Sequence, residues 1–353
     1  MSAPPVTEKT SYEAHKAHTD HIDDHAAMAH NTTGGADSPG VTTPDIDFDK
    51  AASYKPSKLT GKGLGFMVTF VAGTGFTLFG YDQGVLSGLM TLVPFMQEFP
   101  QAAVPWGNDK LENYGMTPHA NAATLQSFMV AIYELGCMAG ALSNLGGVIM
   151  TIGAIIQCAA VDYAMMLVSR VITGIGNGLL TSTVPAYQSE CARPEKRGPL
   201  VLFSGSLITF GIMISYWINL GFYFVAPNQN FTGPNPKGGS SASWRFPIAF
   251  QIFFAVLMIG CLYGFRLPES PRWLVAHGRH EEALAVLAAL EGTTVDDPEV
   301  RMTHRAIIDA VSQERFSFKS LFTGGRTQNF RRTILGMLSQ MFQQISGINL
   351  VTY

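Results

Sequence analysis

From residue 62 onward the chain alternates long apolar runs with short polar stretches, at about 62–91, 122–144, 146–161, 163–188, 199–226, 244–266 and 331–353. A helix crossing a bilayer needs about 20 mostly apolar residues, so the pattern predicts an all-α membrane protein with seven spans. Glycines recur inside these runs (Gly73, Gly75, Gly174, Gly176, Gly178, Gly205 and Gly211). They would weaken helices in water, but in lipid small residues let helices approach closely. The stretch from Ala122 to Ala160 is too long for one span, since it would extend about 58 Å against a hydrocarbon core of ~30 Å. One span there would also reverse the side of every later loop. Two spans joined by a tight turn near Ser143-Asn144-Leu145-Gly146-Gly147 are therefore expected, the second of them short.

The first sixty residues carry histidines, acids, Gly and Pro and no apolar core, so they read as a disordered tail with no secretory signal. His15, His18, His21, His25 and His30 could hold a metal weakly. With no cysteine or fixed ligand spacing beside them, they read as part of a solvated tail. The basic residues give the orientation. Arg193, Lys196, Arg197, Arg266, Arg272, Arg279, Arg331 and Arg332 gather on one side, and little beyond Lys110, Lys237 and Arg245 falls on the other. The N-terminus is then cytoplasmic, and Asn230-Phe231-Thr232 lies outside as a glycosylation acceptor. The expected organisation is a cytoplasmic tail at 1–60, a transmembrane bundle at 61–266, a cytoplasmic linker at 267–329 and a seventh span at 330–353. Within the linker, an amphipathic helix is predicted from Glu281 to Leu290 and a further helix from Glu299 to Gln313.

Only 14% of the residues are charged, against about a quarter in soluble domains. The net charge of −3 argues against a nucleic-acid partner. Cys137, Cys158, Cys191 and Cys261 have neither disulfide nor metal spacing and read as free thiols. No nucleophile, metal or cofactor constellation appears, and no GxxxxGK loop, so an enzyme is not expected and no cofactor is implied.

Three groups of residues carry candidate chemistry. Asp82, late in the first span, and Arg170, early in the fourth, fall at similar depth because the spans run in opposite directions. Charges at that depth suggest a functional pair, and an acid beside an arginine can bind and release a proton. The competing reading ends the first span at Phe79 and makes Gly80–Gly84 a solvated turn. In the seventh span, Gln343, Gln344, Asn349 and Tyr353 offer donors and acceptors suited to a ligand with adjacent hydroxyls, or to bonds between helices. At the cytoplasmic ends, Glu190 and Arg197 flank one loop and Glu269 and Arg272 another. They form either a latch or exposed pairs worth ~0–1 kcal/mol.

These residues lie in stretches that together resemble the sugar porter family of the major facilitator superfamily: FGYDQGVLSG (79–88), RVITGIGNG (170–178), PAYQSECARPEKRG (185–198), PESPRW (268–273) and QQISGIN (343–349). The resemblance runs from about Leu64 to Tyr353 and is nearest to fungal members, including sugar and glycerol proton symporters. It implies a fold of two six-helix bundles with the substrate between them. On that likeness, this chain supplies the N-terminal bundle, short cytoplasmic helices and the first helix of an absent C-terminal bundle. Asp82 and Arg170 match the proton-coupling pair. Gln343, Gln344, Asn349 and Tyr353 match the sugar-binding positions, and Glu190, Arg197, Glu269 and Arg272 match the cytoplasmic gate charges. The implied partners are a sugar or polyol, a proton and the lipid bilayer, in a multi-pass protein of the plasma membrane.

Three departures qualify the resemblance. The family's G-D-x-x-G-R-R segment between spans two and three is missing, Gly205 stands where many sugar porters have glutamine, and the chain ends at Tyr353. A proton-coupled carrier for a hexose-like sugar or a small polyol is expected, represented by a piece that does not transport by itself. The alternative is a non-transporting membrane protein, either a sugar sensor or a truncated partner of a full-length relative.

Overall fold

A computed structural model describes residues 46–104, 116–117, 119–140, 146–225, 240–313 and 328–345. Among the described residues the ordered elements are helices: α1 (Phe48–Ser53), α2 (Lys62–Leu89), α3 (Val93–Glu98), α4 (Ala122–Gly140), α5 (Gly146–Cys158), α6 (Tyr163–Cys191), α7 (Arg197–Val225), α8 (Ala242–Gly264), α9 (Pro271–Ala276), α10 (His280–Glu291), α11 (Pro298–Gln313) and α12 (Asn329–Ile345), with two short 3-10 turns. Each of the seven apolar runs holds one helix. Five of these helices, α2, α4, α6, α7 and α8, are long and apolar enough to cross a membrane. With 28 residues, α2 reaches about 42 Å. With 13 residues, α5 reaches only ~20 Å, less than the ~30 Å hydrocarbon core. The run from 122 to 160 is thus two helices, and residues 141–145 of the expected turn lie outside the described residues. The acceptor at Asn230 and the tail up to residue 45 do too.

Glycine sets how closely the bundle packs. Where α4 crosses α6, a Cβ on Gly178 would run into the carbonyl oxygen of Cys137, and one on Gly140 into that of Ile175. The two backbones touch through hydrogen-sized side chains, the close approach that small residues permit in membranes. Helix α2 packs against α6, α7 and α8, while α6 packs against α4 and α5. Trp244 is fully buried and meets the rings of Phe95 and Phe99 at 5.7 and 5.6 Å, so α3 closes one end of the bundle. Around this core, Leu202, Trp217 and Tyr263 are 77%, 67% and 74% exposed. In a protein of this composition such side chains suit lipid or a second bundle better than water.

Residues 46–60 fell within the polar tail on the sequence pattern, yet they are docked. Asp47 caps α1 by accepting from the backbone N–H groups of Asp49 and Lys50, each at 3.1 Å. Ala51 is buried against Leu284, Leu287, Ala288 and Val300. Farther along, Ser57 Oγ donates to the Phe265 carbonyl at 3.1 Å and Lys58 Nζ to that of Gly264 at 2.9 Å. These bonds serve carbonyls at the C-terminus of α8 that have no partner in their own helix. The tail pattern hid this because its few apolar residues gain a partner only once the linker helices present theirs. Those helices, α10 and α11, lie at the expected positions. Helix α10 stops at Gly292, whose φ of 74° is the left-handed cap that glycine adopts without strain.

His304 on α11 is 2% exposed, and its ring stands 5.7 Å from that of His280. Burial, helped by His280, pushes its pKa down to about 4. The unfolded chain binds a proton near pH 6.5 that the folded one refuses, so stability is intact above that pH and falls between about 6.5 and 4. The loss amounts to ~3 kcal/mol at most, taking about 1.4 kcal/mol per pKa unit. Thermal denaturation of the purified chain should therefore show a lower midpoint at pH 5 than at pH 7.5, and His304→Leu should flatten that difference.

Helix α12 carries Met337, Phe342 and Ile345 at 69%, 61% and 69% exposure. Among the described residues its apolar face is thus not covered by the preceding helices.

Candidate functional site

Successive residues of one turn of α2 face different neighbours, because each step along a helix rotates the side chain by about 100°. Tyr81 turns to α8, where its hydroxyl donates to the Pro247 carbonyl at 2.7 Å. Asp82 turns to α6 and Gln83 to α4. Gly84 lies against Ser215 of α7, and Asn219 of α7 donates to the Val85 carbonyl at 2.9 Å. Helix continues through Gly80–Gly84, so there is no solvated turn, and the tyrosine fixes the rotation that aims Asp82 inward.

Asp82 and Arg170 are both fully buried, with Nη1 of the arginine 3.4 Å from Oδ1 of the acid. Sequence reasoning missed two further members of the cluster. Asn177 Nδ2 lies 2.8 Å from Asp82 Oδ2 and 2.9 Å from the Tyr133 hydroxyl oxygen. The Tyr133 ring lies beneath the Arg170 guanidinium, 4.4 Å from its centre, an attraction that strengthens where water is excluded. Each carboxylate oxygen thus has its own donor, one charged and one neutral. Among the described residues, Nε and Nη2 of Arg170 have no hydrogen-bond partner. Asn177 was legible in principle, since it follows Arg170 by seven residues, two turns along the same face. Tyr133 is itself uncharged, in a mostly apolar span, and gave no such signal.

Removing two charges from water is expensive, and their attraction offsets it only with good geometry and further hydrogen bonds. The single long contact at 3.4 Å supplies little of that, so Asn177 and Tyr133 complete the shell. Such a group can change its charge state when its surroundings change, because the balance between ion pair and desolvation is close.

At the C-terminal end of α6, Glu190 accepts a hydrogen bond from Ser270 Oγ, and Ser270 caps α9 by accepting from Trp273 N at 3.2 Å. Tyr187 donates to the Pro268 carbonyl at 2.8 Å. These contacts tie the end of α6 to the loop that carries Glu269 and Arg272. Glu269 itself pairs with Arg279 at 2.8 Å, and Arg279 also holds Glu282, at 2.6 Å, below the usual carboxylate range. Arg197 Nε reaches the Ala192 carbonyl at 3.2 Å, bracing the turn into α7, and Arg272 lies in the first turn of α9 and is also engaged. Gln343 and Gln344 belong to α12. Asn349 and Tyr353 lie outside the described residues.

Residues 67–353 match the family model described as "Sugar (and other) transporter". The sugar transporter STL1 of Saccharomyces cerevisiae is 38% identical over 316 residues, covering 84% of this chain and 51% of that protein. The MFS-type transporter oryC of Aspergillus oryzae is 38% identical over 314 residues, covering 84% and 53%. Among solved structures, the proton:xylose symporter XylE bound to 6-bromo-6-deoxy-D-glucose is similar at 26% identity and a TM-score of 0.59, covering 82% of this chain and 61% of that one. The chain spans about half the length of the curated relatives it matches.

Proposed function

Because the chain belongs to the sugar (and other) transporter family, we propose that it forms the first half of a proton-coupled carrier for a sugar or small polyol, working by alternating access. The observation that carries this is the fully buried Asp82–Arg170 pair with its Asn177 and Tyr133 shell. Proton binding at Asp82 removes the negative charge facing Arg170 and leaves a buried cation uncompensated. That state is costly, and it is relieved when the two bundles rock and admit water to the arginine. Loss of the proton restores the pair and the opposite-facing state. XylE, to which this chain is similar in fold, is described as a proton:xylose symporter, which supports the same reading here.

In this scheme the second bundle provides the other wall of the cavity. Gln343, Gln344, Asn349 and Tyr353 bind the substrate's hydroxyls, and the 353 residues alone do not transport. Glu190, Arg197, Glu269 and Arg272 belong to the cytoplasmic gate, with the N-terminus on that side of the plasma membrane.

Asn177 favours the ionised acid by donating to it, so its loss favours the protonated one. In a full-length transporter containing this chain, Asn177→Val should move the pH midpoint of uptake upward by about one unit, a charged hydrogen bond being worth ~1.5 kcal/mol. A pH profile identical to that of the unmodified protein would sink the proposal.

A further inference from the structure

We propose that Glu134 and Gln83 form a subsite that binds adjacent hydroxyl groups of the transported sugar or polyol. Glu134 lies twelve residues into the 19-residue helix α4, about 18 Å from its start. At that depth a carboxylate facing lipid is strongly disfavoured, and intramembrane acids turn to the bundle interior or to a water-filled cavity. Glu134 is nonetheless exposed on the bundle surface, so that surface is the wall of an aqueous space. Among the described residues no lysine or arginine pairs with it, which sets it apart from Asp82, the other acid well inside a span. No group of three or more His, Cys, Asp or Glu gathers around it among those residues either, so the setting is not that of a metal ion.

What it has is an amide. Gln83 Nε2 stands 3.4 Å from Glu134 Oε1, a weak contact that leaves most of the capacity of both groups unused. A carboxylate accepts at about four lone-pair positions, and an amide donates twice and accepts twice. Side by side they match neighbouring hydroxyls, each of which both donates and accepts. The polar band continues along the same face. Ser87, one turn beyond Gln83 on α2, meets the Tyr216 hydroxyl of α7 at 3.5 Å. Three spans thus present four hydrogen-bonding side chains to one space. Gln83 also follows Asp82 directly, so a substrate held there bears on the turn of α2 that carries the buried acid.

This subsite presupposes the transport reading, and the experiment separates the two. Initial uptake of radiolabelled D-xylose, D-glucose and glycerol is measured in cells making the full-length transporter, unmodified or carrying Glu134→Ala or Glu134→Gln. For whichever probe the unmodified protein carries, Glu134→Ala should raise KM at least tenfold. Its maximal rate and pH profile should stay within about twofold, and Glu134→Gln should fall between. An unchanged KM in Glu134→Ala overturns the subsite and leaves the transport reading standing. A shifted pH profile with unchanged KM makes Glu134 a proton carrier and overturns the subsite as well. Uptake of none of the three probes by the unmodified protein overturns the transport reading and the subsite with it. Glu134→Gln keeps the side-chain shape, so loss of surface expression in the alanine variant alone leaves the test intact.

Discussion

A Gly178→Leu variant is expected to lose the folded bundle. Even the first carbon of the new side chain would meet the backbone carbonyl of Cys137, and Gly140 makes the reciprocal contact with Ile175. A crowded side chain can change rotamer, and overpacking of that kind costs about 1–3 kcal/mol. A carbonyl in the middle of a span cannot move without breaking its own helical hydrogen bond. Separating α4 from α6 would also pull Tyr133 away from Asn177 and Arg170, which it touches at 2.9 and 4.4 Å. A loss of about 3 kcal/mol or more follows, enough to remove much of the stability of an ordinary domain. Thermal denaturation in detergent should show a large drop for leucine and a smaller one for alanine. Gly221→Ala, with nothing within 4 Å of the added carbon, should melt like the parent chain.

The second large effect concerns Asp82. Asp82→Asn keeps the shape and the contact with Asn177 but carries no charge and takes up no proton near neutral pH. Arg170 then remains buried opposite a neutral amide in every state. A full-length transporter with this change should exchange substrate across the membrane and fail to concentrate it. Arg170→Leu breaks the same pair from the other side, and losing one partner of a buried pair costs about 3–5 kcal/mol, so both variants should melt below the parent chain. Both should therefore lose coupling at a cost in stability, and Asp82→Asn, which keeps the side-chain shape, is the cleaner test of the two.

Much of this was legible in the sequence because a bilayer imposes simple demands. Among the described residues each hydrophobic run holds a helix, and 122–160 holds two, α4 and α5. Depth alone brought Asp82 and Arg170 together, since two opposed charges inside hydrocarbon have few other places to go. The neutral members of the site escaped. Asn177 and Tyr133 carry no charge, and their value lies in donors and a ring face that become visible only once α4, α6 and α2 are packed. Glu134 was an available signal, an acid well inside a span, that pattern reading passed over. The charges expected at the gate have partners both near and far along the chain. Glu190 meets Ser270 of the other loop, while Glu269 meets Arg279 ten residues along its own segment. Docking of residues 46–60 was hidden because it depends on surfaces formed more than 200 residues away, at Gly264 and Phe265.

Proton coupling through Asp82 is tested most directly by uptake into vesicles under an imposed pH gradient, with Asp82→Asn beside the unmodified full-length protein. The unmodified protein should accumulate labelled sugar or polyol above the outside concentration, while the variant should only equilibrate it. Accumulation by Asp82→Asn to the level of the unmodified protein would contradict the role assigned to the buried pair.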